Sequence, residues 1–136
     1  MKIKLFACAA LLAGFLAATA PISAHHSVSS VYERNSITVK GTVTEWFWTN
    51  PHCLLSFDVK DDSGQVVHWV AETQNGPAIL GDGYSKETFK PGDVVTVTLE
   101  PVKNGKPLGR LVSVVLPNGK KLEGGFLNSK SDSSKE

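Results

Sequence analysis

Cysteine is scarce in this chain, with two in 136 residues, and so are methionine (one) and tyrosine (two). Cys8 falls inside an N-terminal apolar run, which leaves Cys53 as the only thiol of the folded part. An intramolecular disulfide is therefore excluded, and the expected role of Cys53 is that of a small buried apolar residue. Long apolar runs are missing beyond residue 18, and the one present, Leu5–Ala18, is too short to span a bilayer comfortably. A surplus of positive charge is missing as well. The 14 basic residues stand against 13 acidic ones with no Lys/Arg cluster, which excludes the electrostatic footprint of a nucleic-acid binder. Catalytic signatures are absent too. The chain contains no Gly-x-Ser-x-Gly elbow, metalloprotease helix, phosphate loop or dinucleotide fingerprint. This favours a non-enzymatic protein.

What the N-terminus does contain is the layout of a secretory signal. Lys2 and Lys4 precede Leu5–Ala18, and a small-residue stretch, Thr19–Ala24, follows. Ala18-Thr19-Ala20 has good small residues for cleavage, but Pro21 would follow the cut. Ile22-Ser23-Ala24 satisfies the rule and makes His25 the mature N-terminus, so residues 1–24 are assigned to the signal peptide. Only four residues precede Leu5, too few for a lipoprotein signal ending at Cys8. Removing Lys2 and Lys4 leaves 12 of the 14 basic residues against 13 acidic ones, a mature net charge of −1. A periplasmic or secreted protein with no membrane anchor after processing is expected.

The stretch Gly41–His52 organises the rest. Residues 25–36 are polar, with Tyr32 as an anchor, and read as an arm. From Ile37 to Trp48 β-branched residues and threonines mark a long strand. Val39, Gly41 and Val43 share one face, but Trp46 and Trp48 then fall on the polar one. Either a bulge re-aims the second half inward or both indoles are exposed. Cys53–Lys60 and Gln65–Glu72 make two further strands around an Asp61–Gly64 turn, the third with apolar residues on both faces and so expected to be central. Asn75-Gly76-Pro77 opens a short helix with Pro77 in its first turn. Val94–Glu100 and Gly109–Leu116 are strands four and five, and Lys120–Leu122 is a short edge. Three strands, a helical insert and two strands is the order of a five-stranded OB-fold-like Greek-key barrel over residues 37–123, with a small β-sandwich as the alternative. Residues 124–136 read as a disordered tail.

In such barrels a ligand lies on strands two and three, between the first and the fourth connecting loops. This places Trp46, Trp48, Asn50, His52, Lys103, Asn104 and Lys106 around one groove suited to a small molecule, a glycan or a peptide of a protein partner. The alternative is that both indoles plug the barrel end and Asn50 serves its own turn. A second candidate is a copper site. The α-amine and ring of His25, with His26, His52 or His68, form a nitrogen set suited to Cu(II). Glu72, beside Trp69, is the one carboxylate worth watching as an acid–base group, set against a role in holding the following turn. Cys53 next to His52 is no nucleophile–base pair, because neighbours on a strand face opposite ways.

His25-His26-Ser27, Tyr32-Glu33, Lys40-Gly41-Thr42-Val43, Trp48-Thr49-Asn50-Pro51-His52, Trp69, Glu72 and Lys90-Pro91-Gly92-Asp93-Val94 together resemble a family of small exported bacterial proteins known only as a domain of unknown function. The resemblance covers about residues 25–122. Glu33 and Tyr84 depart from its usual aspartate and tryptophan while keeping the chemical type. It implies export and a compact β-barrel-like domain, and brings no activity, cofactor or catalytic residue with it.

Overall fold

The computed structural model describes residues 31–126, which form an all-β barrel. The strands are β1 (Ile37–Phe47), β2 (Leu54–Lys60), β3 (Val66–Glu72), β4 (Val94–Pro101), β5 (Leu108–Val115) and the short β6 (Lys121–Glu123). Between β3 and β4 lies one helical piece, α1 (Gly76–Ile79), continued by a 3-10 turn at Leu80–Asp82. The hydrogen-bonded order is β3-β2-β1-β4-β5-β6, and a parallel β3–β5 pairing closes five of these strands into a barrel. This is the OB-fold order read from the sequence, and β6 is an added strand on the free edge of β5.

The interior follows from strand alternation. Leu55 and Phe57 from β2, Val95, Val97 and Leu99 from β4, and Leu111 from β5 are fully buried. β1 has to serve two strands at once and bends to do so. Gly41 makes this possible, since a Cβ there would stand 2.7 Å from the Asp58 carbonyl oxygen. Two residues on, the register slips: Val43 faces Phe57, but Glu45 faces Ser56, leaving Thr44 as the extra residue of a bulge. That one-residue slip reverses the alternation, so Trp46 opposes Leu55 and turns inward like Val43. The inward alternative is the correct one of the two.

The turns follow their side chains. Asp61 Oδ1 accepts from the Ser63 and Gln65 amides, both at 2.9 Å, and Gly64 completes that turn at φ 84°. Asn75 caps α1 by accepting from the Ala78 amide at 3.1 Å. Two expectations need adjusting. β3 is central only in its second half, because β5 begins at Leu108 and pairs with Val70–Glu72 alone. Among the described residues no strand pairs with the other edge of the first half, where Val66 and His68 are exposed. Gly124 and Gly125, which composition places in the tail, are buried: Thr73 Oγ1 donates to the Gly124 carbonyl at 2.7 Å, and Gln74 Nε2 to that of Gly125 at 3.0 Å. The signal peptide, His25, His26 and residues 127–136 lie outside the described residues. Among the described residues no helix is long and apolar enough to cross a membrane.

Candidate functional site

The end of β1 builds an aromatic cap under the barrel. Trp46 donates its indole N–H to the Ser85 carbonyl at 2.9 Å and packs edge-on against Phe89, ring centroids 4.9 Å apart. Tyr84 lies 6.2 Å from both. Trp48 meets Trp46 edge-to-face at 6.0 Å. It also packs against Gly76, where a Cβ would come within 2.3 Å of the indole. Gly76 is thus the seat of Trp48, and the short helix is held by a ring rather than by propensity. Tyr84 is enclosed, and burial, with Asp82 and Glu123 nearby, pushes its phenol well above the usual range.

The chain then leaves the cap through Thr49–His52, whose Asn50–Pro51 peptide bond is cis. Thr49 Oγ1 donates to the His52 carbonyl at 2.9 Å and closes the bend. His52 Nδ1 lies 2.9 Å from the Thr73 carbonyl oxygen. A carbonyl only accepts, so Nδ1 carries the proton and, in the neutral ring, Nε2 keeps the lone pair. Cys53 points the other way, fully buried, with its thiol on the Thr49 carbonyl at 3.6 Å and its pKa raised by burial. His52 and Cys53 are not partners. Asn50 and Pro51 remain exposed, and Trp48 and His52 are half-buried.

A second constellation crosses the outside of the barrel. Glu100, Arg110, Glu72, Leu54 and Phe47 stand in register across β4, β5, β3, β2 and β1. Arg110 Nε donates to Glu100 Oε2 at 2.9 Å, with both side chains largely covered. Its guanidinium sits between two rings, 5.5 Å from the centroid of Tyr32 and 5.4 Å from that of Phe126. The Tyr32 hydroxyl donates to Glu72, and its pKa is driven up by burial first and by that carboxylate second. Phe126 reaches His52, ring centroids 6.1 Å apart. The contacts therefore run from one loop to the other, since Tyr32 also bridges to Val102.

The groove expected between the two loops is thus crossed by Tyr32 and Phe126, from the two ends of the domain. Sequence reasoning kept Tyr32 as an anchor and missed Arg110, Glu100 and Phe126. Opposite charges on the outward positions of strands four and five were the available signal for the ion pair. Of the predicted residues, Trp46 and Trp48 come together, and His52 joins the second constellation. Asn104 accepts from the Lys106 amide at 3.1 Å and so serves its own turn. The Lys103 amide donates to Val31 at 3.0 Å, which sets that loop against the arm. Glu72 takes the Tyr32 hydroxyl rather than the backbone of the following turn.

The two described histidines, His52 and His68, do not converge. His68 pairs with Asp58 at 2.5 Å near the far end of β2–β3, while His52 precedes the end where Leu54 faces Glu72. Among the described residues no group of three His, Cys, Asp or Glu side chains is placed to hold a metal. Residues 13–111 match a family of unknown function (DUF6152). No curated protein and no solved structure matches the chain.

Proposed function

We propose that this chain, which belongs to that family of unknown function, is an exported binding module with its contact surface on the Trp46–His52 corner. One observation carries the reading: the bend is rigidly held and yet turned outward. Trp48 is seated on Gly76, the His52 ring is tied to the Thr73 carbonyl, and Asn50 and Pro51 project between them exposed. A preorganised aromatic beside an amide and an imidazole suits a glycan or a peptide of a protein partner, because little side-chain entropy is lost on contact. Trp46 supports the corner from behind, its N–H already spent on Ser85. Binding rather than catalysis fits the Trp46, Thr49 and His52 donors of the corner, which face backbone carbonyls and not one another. The exported location rests on Lys2, Lys4, Leu5–Ala18 and the small residues that follow.

The test is titration of the mature protein with a panel of oligosaccharides and extended peptides, followed by tryptophan fluorescence. Trp48→Ala and Asn50→Ala should abolish the response while the fold persists. Retained binding in both variants would remove the corner from consideration.

A second reading is Cu(II) capture by a mature His25. The His52 tautomer favours it, since Nδ1–H on a carbonyl leaves Nε2 as a ready metal ligand. Cu(II) titration of the mature protein should then weaken in both His25→Ala and His52→Ala. His68→Ala should have no effect. Equal affinity in all forms would end this reading.

A further inference from the structure

Away from that corner lies a feature it does not use. An open groove of about 460 Å³ crosses the outside of β1 and β2, lined by Lys40, Thr42, Asp58, Lys60, Val66 and Val94. Its walls are two valines that keep 48% and 46% of their surface in water, Val66 and Val94 respectively. The two valines give this concavity an apolar surface that a bound chain would cover.

The charges in the groove are unevenly matched. Asp58 is its only carboxylate, and His68 engages it at 2.5 Å. Lys40 and Lys60 have no carboxylate at ion-pairing distance among the described residues, where the Lys/Arg pairs are Arg110–Glu100 and Lys121–Glu123. Two ammonium groups without such a partner therefore line one cleft beside its two valines. Beside it runs the first half of β3, whose outer edge pairs with no strand among the described residues.

We propose that this groove binds an acidic peptide segment in extended form. Its carboxylates pair with Lys40 and Lys60, its aliphatic side chains fill the space between Val66 and Val94, and its backbone crosses the outside of β1 and β2 between them. A bilayer surface reaches the lysines but not the floor of a concave cleft, so anionic lipid is the less suitable occupant.

Nitrogen–proton NMR titration with an acetylated peptide of alternating Glu and Val tests this directly. Shifts are expected at Lys40–Thr42, Asp58–Lys60 and Val66–Trp69, weakening as salt is raised. The double variant Lys40→Glu/Lys60→Glu should bind about tenfold more weakly, as reversing two exposed charge pairs allows. Lys86→Glu should leave affinity unchanged, and circular dichroism and thermal melting should show each variant folded. Unchanged affinity in the double variant would overturn the proposal. So would shifts confined to Thr49–His52, or Lys40/Lys60-dependent binding to anionic vesicles without any to the peptide.

Discussion

The protein has two aromatic constellations, and they are held in different ways. Trp46, Trp48, Tyr84 and Phe89 come from two stretches, pack ring on ring at one end of the barrel and spend their one anchoring hydrogen bond on a backbone carbonyl. Tyr32, Arg110, Phe126 and His52 come from four separate stretches and sit on the outer face. There a single guanidinium between two rings and a carboxylate does the joining. The first is a hydrophobic cap that fixes one end of β1. The second is a polar clasp that draws both ends of the domain onto the barrel. The cap therefore governs whether the barrel forms, and the clasp governs how its ends lie.

The largest expected effect falls on the cap. Trp46→Ala removes a largely enclosed indole and should cost about 3–5 kcal/mol in chemical denaturation. A loss below about 1 kcal/mol would place Trp46 outside the core. Arg110→Ala comes next, at about 3 kcal/mol, because Glu100 is left covered and without its counter-charge. Amide exchange should rise at Tyr32 and Phe126 in that variant while Trp46 stays protected. Simultaneous loosening of the cap would break the division drawn above. Gly76→Ala should cost about 1–3 kcal/mol, since the added methyl collides with the Trp48 ring. Its fluorescence spectrum should report a displaced indole.

The smallest effect appears at alkaline pH. The chain's two tyrosines fall one in each constellation, and folding raises both phenols above their ordinary value of 10.0. The folded state holds those protons more tightly, so their stabilisation is complete below pH 10 and is lost as pH rises beyond it. Phenolate absorbance of the native protein should lag behind that of the unfolded chain. In Tyr32→Phe the remaining signal belongs to Tyr84 and should still lag. The same variant loses only a hydrogen bond to Glu72, worth about 1–2 kcal/mol.

This contrast also explains what the sequence revealed. Part of the cap was legible, because period-two alternation, the slip after Val43 and the Asn75-Gly76-Pro77 helix start are local signals, whereas the packing of Tyr84 and Phe89 on Trp46 is not. Even so, only the register of β1 against β2 decides that Trp46 faces inward. The clasp was not legible. Arg110 meets Glu72 through a parallel pairing of strands distant in sequence, and Phe126 stands in a stretch whose composition resembles a tail. No local pattern encodes either contact. Strand order and the barrel were recoverable from alternation and turn residues. The half-open edge of β3 was not, because it depends on where β5 begins.

Trp46 supports the corner from behind with its N–H bonded, and Trp48 stands half-buried at its edge. Hydrogen–deuterium exchange at the indole N–H groups tests this most directly. Trp46, bonded to the Ser85 carbonyl, should exchange slowest, and Trp48 should exchange faster by orders of magnitude. Equal protection of the two, or a Trp46 indole that exchanges before Trp48, would contradict it.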